Sequence, residues 1–249
     1  MKNAVWNDDE LSKIRNVDRL LPCQPHLQKL FTGNEDNFFE SLENVLLCIQ
    51  NNRSVEQKWD LELKPGVTYA SLGADIGTLY FYQFIIAISG AKSVLELGTY
   101  IGVSTLFWAE ALGPEGKVTT VEIGEEFYNI AERNIQVNDM TQRVEQILDS
   151  ALLAMDKFID ENRKFDCIFI DAAKESYDLL FTKALECISP KGLILVDDVF
   201  FQGETLNEEA SSEKGLGVRK VLLKAESLNC FKSILPIGNG LLLIQPPTN

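Results

Sequence analysis

From residue 66 to the C-terminus, short apolar runs alternate with segments whose apolar residues recur at helical spacing. The apolar runs predict seven strands, over residues 93–97, 117–122, 144–148, 165–170, 193–196, 231–235 and 240–245. The segments beside them predict helices over residues 75–89, 103–112, 125–138, 151–162, 175–188 and 218–227. Strands and helices that alternate in this way are typical of a doubly wound α/β sheet with helices on both faces.

The last two predicted strands are joined by a short turn, residues 236–239. This connection is too short for a crossover helix, so the pair is expected to be antiparallel. The fold class is therefore predicted as a seven-stranded, mostly parallel α/β sheet that ends in a C-terminal antiparallel hairpin. Residues 203–217 are polar and acidic without an apolar run, and they predict a surface loop over the carboxyl edge of the sheet.

Residues 1–65 differ from the rest of the chain, because prolines and a glycine separate two amphipathic segments, 8–21 and 35–51. In the second segment, the apolar residues at positions 38, 42, 45, 46 and 49 recur at helical spacing. We interpret residues 1–65 as an N-terminal helical extension that packs on the sheet or on a partner subunit. Residues 66–249 are expected to form the domain that carries the chemistry.

The charge of the chain argues against several classes of partner. Its 249 residues include 37 acidic and 23 basic side chains, which gives a net charge of −14. Nucleic acid and anionic membranes would be repelled, so neither is an expected partner. The sequence shows neither a membrane-spanning apolar run nor a signal peptide, so a cytoplasmic location is expected. The single histidine, His26, argues against histidine-based catalysis elsewhere in the chain.

The turn after the first predicted strand is the first indication of a ligand site. Glu96 lies near the end of this strand, and Gly98 and Gly102 precede the next predicted helix. This spacing is neither the Gly-x-Gly-x-x-Gly of dinucleotide enzymes nor a phosphate loop ending in Gly-Lys-Ser/Thr. A carboxylate where such motifs hold phosphate favours a cationic ligand without phosphate, such as S-adenosylmethionine.

Acidic residues also follow the other predicted strands, at the edge where open α/β sheets keep their sites. Glu122 is placed to accept hydrogen bonds from a ribose diol, and Asp149 lies beside the expected adenine position. Asp171 and the pair Asp197 and Asp198 end neighbouring strands. A single aspartate after a strand usually caps the next helix. Three carboxylates at one point, however, repel one another unless a cation lies between them, and Mg²⁺ prefers oxygen ligands.

Four segments, ELGTYIGVS (96–104), IDAAK (170–174), VDDVFFQG (196–203) and LPIGNG (235–240), together carry a family resemblance. In their order and spacing they resemble the metal-dependent catechol and caffeoyl-CoA O-methyltransferase family, over about residues 66–246. The resemblance implies the Rossmann-like fold of class I methyltransferases, with residues 66–249 as the methyltransferase domain. It further implies S-adenosylmethionine as cofactor, a homodimer and a divalent metal, with Mg²⁺ expected and Mn²⁺ or Ca²⁺ as alternatives.

The resemblance also implies roles for single residues. Asp171, Asp197 and Asp198 match the metal ligands of the family. Lys174 matches its general base, which would act with Asp171, and a lysine beside a cation is expected to have a lowered pKa. Phe201 matches an aromatic residue that packs on the acceptor ring. The implied cofactor-binding residues are Ala70, Leu72, Glu96, Gly98, Tyr100, Ser104, Glu122, Ile123, Ala151 and Asp171.

Two positions depart from the family pattern. Asp198 stands where the family usually has asparagine, and the additional carboxylate makes the site more anionic. Ala173 stands where the family often has a second aspartate, so that a polar contact to the cofactor is missing or is made by another group. Both departures affect the expected acceptor more than the expected reaction.

The predicted reaction is methyl transfer from S-adenosylmethionine to a hydroxyl of a small, metal-chelating acceptor, most simply a catechol. Two alternatives stay open: a methyltransferase acting on a nitrogen or a non-chelating hydroxyl, and a cofactor-binding partner protein without catalysis. Dependence on divalent metal separates the first alternative from the prediction. An acyl-CoA acceptor is less favoured, since the basic residues between 214 and 224 are more simply explained as solvated charges.

Overall fold

The computed structural model describes Ala74, residues 76–206 and residues 212–247. The strands are β1 (Ser93–Leu97), β2 (Lys117–Glu122), β3 (Val144–Leu148), β4 (Phe165–Ile170), β5 (Ile188–Val196), β6 (Phe231–Leu235) and β7 (Leu241–Gln245). The helices are α1 (Ile76–Ser89), α2 (Val103–Leu112), α3 (Glu125–Val137), α4 (Ala151–Asp160), α5 (Tyr177–Cys187) and α6 (Glu213–Ser227). Two short 3₁₀ helices span Lys174–Ser176 and Phe201–Leu206.

The strands form one seven-stranded sheet in the order β3-β2-β1-β4-β5-β7-β6. Strands β1 to β5 pair in parallel, whereas β7 is antiparallel to both β5 and β6. This arrangement confirms the predicted fold class, including the C-terminal hairpin. Because β1, β2, β4 and β5 run in the same direction, their carboxyl ends meet at one edge of the sheet, and this edge carries the predicted site residues.

Helices cover both faces of the sheet, as β4 illustrates. Its fully buried residues Ile168 and Ile170 belong to the apolar core to which α4, α5 and α6 contribute. Phe169 lies on the opposite face, because successive strand residues alternate between the two faces. There its ring centroid is 5.1 Å from that of Tyr82 in α1 and 5.4 Å from that of Trp108 in α2. Burial on both faces explains the continuous apolar run over residues 167–170 of this strand.

Two predicted boundaries are wrong by several residues. Strand β5 begins at Ile188 rather than at residue 193. Helix α6 begins at Glu213 rather than at residue 218, so part of the predicted 203–217 loop is helical. The N-cap is Ser212, whose Oγ accepts a hydrogen bond from the Gly215 N–H at 3.0 Å. The carboxylate of Glu204 in turn accepts hydrogen bonds from the backbone N–H and the hydroxyl of Ser212. Gly215 and Gly217 lie near the start of α6, and because glycine is a poor helix former the sequence pattern did not indicate a helix there.

The predicted N-terminal extension, residues 1–65, lies outside the described residues, and its boundary stays a prediction. The homodimer and the cytoplasmic location likewise stay predictions. Among the residues that the structure describes, none of the helices is both long and apolar enough to cross a membrane.

Candidate active site

A cleft of about 430 Å³ opens at the carboxyl edge of the sheet, between the segments that follow β1, β2, β3 and β4. Seven of the predicted cofactor-binding residues line it: Gly98, Tyr100, Ser104, Glu122, Ile123, Ala151 and Asp171. Ala70 and Leu72 lie outside the described residues. Residues far apart in the sequence are therefore brought to one place by the parallel strand order.

The turn after β1 passes directly against the end of β4. Gly98 has a φ of 105°, a backbone conformation that residues with a side chain rarely adopt. A Cβ atom at this position would lie 2.0 Å from the carbonyl oxygen of Asp171. Backbone hydrogen bonds hold this approach, since the Asp171 N–H donates to the Leu97 oxygen at 2.9 Å. Glycine is therefore required where Asp171 meets the turn.

Glu122 holds the same turn from the other side. Its Oε2 accepts hydrogen bonds from the backbone N–H groups of Thr99 at 3.2 Å and Tyr100 at 2.9 Å. Its Oε1 accepts a third bond from the Gly124 N–H at 2.8 Å. The carboxylate also lines the cleft, where its remaining lone pairs can accept bonds from a ligand. Glu122 thus shapes the turn and presents acceptor oxygens to the cleft.

Glu96, predicted as a cofactor-binding residue, does not line the cleft but is fully buried beneath the turn. Its carboxylate accepts hydrogen bonds from the side chains of Ser104 (2.6 Å), Thr105, Trp108 (3.0 Å) and Thr120 (2.6 Å). Of these donors, Ser104 lines the cleft. Glu96 therefore lies beneath the cleft wall and bonds to Ser104, which lines the cleft, and its role at a cofactor stays a prediction.

The buried carboxyl of Glu96 predicts a pH dependence of stability. Burial raises its pKa from 4.5 to about 7, although its hydrogen bonds oppose this shift. Because the folded protein holds this proton more tightly than the unfolded chain, the free energy of unfolding falls as pH rises between these two values. The fall attributable to Glu96 is about 3 kcal/mol.

Urea unfolding of the wild type and of Glu96→Gln, at about pH 5 and about pH 8, measures this contribution. The wild type is expected to lose about 2 to 3 kcal/mol more than the variant between the two pH values. A constant offset between the two proteins at both pH values would contradict the assignment, because it would show that Glu96 does not titrate in this interval.

Asp171, Asp197 and Asp198 follow β4 and β5 beside the cleft, and Lys174 lies between two of them. The lysine Nζ is 2.8 Å from Asp171 Oδ1 and 2.7 Å from Asp198 Oδ2. Burial, followed by the charges of Asp171 and Asp198, raises the pKa of Asp197 to about 7. Burial alone would lower the pKa of Lys174, but the two carboxylates outweigh it and hold that pKa above its ordinary value. This direction is opposite to the lowered pKa expected beside a cation.

The chemistry of this cluster suits a hard divalent cation. Three carboxylates lie together here and one lysine ammonium contacts two of them, while the charges of Asp171 and Asp198 add to burial in raising the pKa of Asp197. Within the described residues, no three carboxylate, imidazole or thiol side chains converge closely enough to hold a metal ion as they stand. Binding a cation here would need the Lys174 ammonium to leave its place between Asp171 and Asp198.

Phe201, which was predicted to pack on the acceptor ring, begins the second 3₁₀ helix with a φ of 37°. Its half-buried side chain packs against the apolar core, and it does not line the cleft. Its contact with an acceptor stays a prediction.

Sequence reasoning missed several residues that line the cleft. Phe127 of α3 lies beside Tyr100, with 4.9 Å between ring centroids, and Leu152 adds apolar surface. Their sequence signal is that of ordinary apolar helix positions, which does not distinguish a cleft from a core. The hydroxyl of Tyr177 was missed for the same reason; it is buried and donates to Asp171 Oδ1 at 3.4 Å.

Residues 63–246 match a protein-family model described as O-methyltransferase. The chain belongs to the O-methyltransferase family. This membership confirms the predicted family and the predicted class of enzyme, an S-adenosylmethionine-dependent O-methyltransferase.

Relatives of this O-methyltransferase are found among both named and solved proteins. It is 26% identical over 240 residues to probable caffeoyl-CoA O-methyltransferase 3 of Dictyostelium discoideum, covering 88% of this chain and 96% of the relative. It is 33% identical over 141 residues to a catechol O-methyltransferase of Niastella koreensis, covering 56% of this chain and 64% of that relative. The structure of an O-methyltransferase of Bacillus cereus, solved in complex with SAH, superposes on this chain with a TM-score of 0.63 at 24% identity. The superposition covers 94% of this chain and 97% of the other. The last likeness supports the fold.

Proposed function

We propose that this O-methyltransferase transfers a methyl group from S-adenosylmethionine to a hydroxyl oxygen of a small chelating acceptor, such as a catechol. A divalent cation would be held by Asp171, Asp197 and Asp198. The observation that carries the proposal is the position of Asp171, which lines the cleft and belongs to the acidic cluster. Cofactor and acceptor would therefore meet at this residue.

The cleft offers suitable surfaces along the length of the cofactor. Glu122 offers carboxylate oxygens to the ribose hydroxyls. Ile123, which is 74% exposed, and Ala151 offer apolar surface to the adenine ring. Ser104 and Asp171 lie where the charged methionine portion would meet a hydroxyl and a carboxylate. Holding the methyl donor in one orientation beside the acceptor supplies much of the rate enhancement in such a transfer.

At the acceptor end, the three aspartates would bind the cation and Lys174 would accept the proton of the attacking hydroxyl. A bound divalent cation lowers the pKa of a hydroxyl that it coordinates. Asp171 and Asp198 hold the Lys174 ammonium as a cation. Lys174 can therefore act as a base only once it has separated from Asp171 and Asp198 and has lost its proton.

The charges at the acceptor end favour a small acceptor over an acyl-CoA. Asp171, Asp197 and Asp198 lie there, and Lys174, the ammonium in contact with the cluster, is already paired with Asp171 and Asp198. Coenzyme A carries phosphate groups that basic side chains normally neutralise. A catechol without phosphate suits this acidic end better, even though one of the relatives is named for caffeoyl-CoA.

One observation favours a second candidate function, transfer to a hydroxyl that does not chelate. Lys174 already places a positive charge between Asp171 and Asp198. A methyltransferase that uses this ammonium to stabilise the acceptor oxygen would need no metal. The two candidates differ in their expected response to a chelator.

Methyl transfer from labelled S-adenosylmethionine to catechols and to matched monohydroxy phenols, with Mg²⁺ or with a chelator, tests the proposal. We expect transfer to catechols, its loss on chelation and its return with added Mg²⁺. Asp197→Asn is expected to lower the Mg²⁺-supported rate by about a hundredfold or more. Asp160→Asn, at an exposed position in the last turn of α4, is the matched control. Transfer that resists the chelator, or that accepts monohydroxy phenols equally, would favour the second candidate.

A further inference from the structure

Tyr82 is a fully buried residue of α1 that reaches the acidic cluster from beneath. Its hydroxyl donates a hydrogen bond to Asp197 Oδ2 at 3.3 Å. Its ring stacks on that of Trp108, with centroids 4.6 Å apart and planes at 19°. A phenylalanine would fill the same apolar space without bringing a polar group into it. The buried hydroxyl is therefore explained by its hydrogen bond to Asp197, a carboxylate of the acceptor end.

Trp108 extends the contact towards the cofactor end. Its indole N–H donates to Glu96 Oε1 at 3.0 Å, and the same oxygen accepts the bond from Ser104 Oγ at 2.6 Å. Ser104 lines the cleft on the side of the β1 turn. Tyr82 thus contacts Asp197 through its hydroxyl. Its ring contacts Trp108, which shares the carboxylate of Glu96 with Ser104. The two contacts use different atoms, so that Tyr82→Phe removes the first and retains the second.

We propose that Tyr82 is a positioning residue for methyl transfer, whose hydroxyl orients Asp197 for the cation and the acceptor. Its ring packs on Trp108, and the indole N–H of Trp108 in turn supports Glu96 and Ser104 at the cofactor. This proposal rests on the proposed function, because it assigns Tyr82 to the same two ends of the site. The sequence gives no sign of it, since Tyr82 lies among apolar residues of an ordinary buried helix face.

Removing the hydroxyl alone should affect the acceptor end alone. In Tyr82→Phe the ring and its stack on Trp108 are retained. We expect the Mg²⁺ affinity to fall by about tenfold to a hundredfold, the range found when a group that orients a metal ligand is lost. The affinity for SAH should stay within about twofold of the wild type, because Glu96 and Ser104 keep their partners.

Removing the indole N–H should give the converse result. In Trp108→Phe a ring remains against Tyr82, but Glu96 loses one of its four donors. We expect SAH to bind about threefold to tenfold more weakly, the range for the loss of one ordinary hydrogen bond. The Mg²⁺ affinity should stay within about twofold of the wild type. Residues that only fill the core would not lose Mg²⁺ affinity in one variant and SAH affinity in the other.

Calorimetric titration of each variant with Mg²⁺ and with SAH, together with kcat for catechol methylation, is the test. Tyr80→Phe is the matched control, because Tyr80 belongs to the same helix but is 46% exposed and packs edge-on against Phe107. Two results together support the assignment: Tyr82→Phe loses Mg²⁺ affinity but not SAH affinity, and Trp108→Phe loses SAH affinity but not Mg²⁺ affinity. Tyr80→Phe should match the wild type in both. Tyr82→Phe that behaves like the control, that loses both affinities equally or that fails to fold overturns it.

The test also separates this proposal from the proposed function. If the wild type methylates catechols but binds no Mg²⁺, the metal part of the proposed function fails. The Tyr82 assignment is then decided by kcat: a loss in Tyr82→Phe with unchanged SAH affinity supports it, and an unchanged kcat overturns it. A wild type that shows neither Mg²⁺ binding nor methyl transfer overturns both.

Discussion

Replacement of Lys174 by alanine is expected to lower kcat for methyl transfer by about 10²- to 10⁴-fold, the range typical for loss of a positioned acid or base. The affinity for SAH should change by less than about threefold, because Lys174 does not line the cleft that would hold the cofactor. Steady-state kinetics and SAH titration of the purified variant measure the two effects. Equal losses of kcat and of SAH affinity would contradict a base role.

Lys174→Arg separates proton transfer from simple charge compensation. The lysine ammonium bridges Asp171 and Asp198, so its removal also leaves two carboxylates without their ion pairs. Arginine keeps a positive charge at this position but does not release a proton at ordinary pH. If Lys174 is the base, both variants lose activity. If Lys174→Arg retains most of the wild-type rate, the residue acts through its charge and the proposed base is wrong.

Replacement of Gly98 by alanine is expected to destabilise the protein by about 3 to 5 kcal/mol and to abolish measurable SAH binding. The new Cβ would lie 2.0 Å from the Asp171 carbonyl oxygen, and the φ of 105° is strained for alanine. The turn and the end of β4 would have to separate, which moves two parts of the cleft wall. Urea unfolding and calorimetric SAH titration measure the two losses.

Gly90→Ala is the matched control for this substitution. Gly90 also has a positive φ, 68°, but no atom lies within 4 Å of the Cβ that alanine would add. Its cost should be that of the backbone conformation alone, about 1 to 2 kcal/mol, with SAH affinity unchanged. A Gly98 variant no less stable than the Gly90 variant would show that the close approach to Asp171 does not determine the geometry of the turn.

The parts of the site that follow directly from strand order could be predicted from the sequence. Glu122 and Asp171 end parallel strands of a sheet whose alternation is plain in the apolar pattern. Parallel strands bring their carboxyl ends to one edge, so these residues had to lie near one another. The prediction that they share one location depended on topology alone and needed no side-chain detail.

The orientation of side chains could not be predicted in this way. Glu96 lies near the end of β1, and whether its carboxylate faces the cleft or the core depends on donors from α2 and β2. The ion pair between Lys174 and Asp198 joins residues that are distant in sequence and belong to segments after different strands. Contacts of this kind are set by packing between elements, which periodicity does not encode.

The error at α6 has a more local cause. Apolar spacing alone did not reveal the start of α6, because Gly215 and Gly217 lie within its first five residues and glycine is a poor helix former. The structure shows what favours glycine at one of them: a Cβ at Gly217 would lie 2.2 Å from the Lys174 carbonyl oxygen. The helix therefore packs directly against the segment that carries the proposed base, and this close contact is visible only in three dimensions.

In the proposed function, the cofactor cleft and a cation site share Asp171. The anomalous difference map of a crystal grown with SAH and Mn²⁺ tests this sharing most directly. We expect a manganese peak contacting Asp171, Asp197 and Asp198, with the Lys174 ammonium moved from between the carboxylates and SAH in the cleft against Glu122. SAH in the cleft with no manganese peak, and with Lys174 still bridging Asp171 and Asp198, would contradict the proposed function.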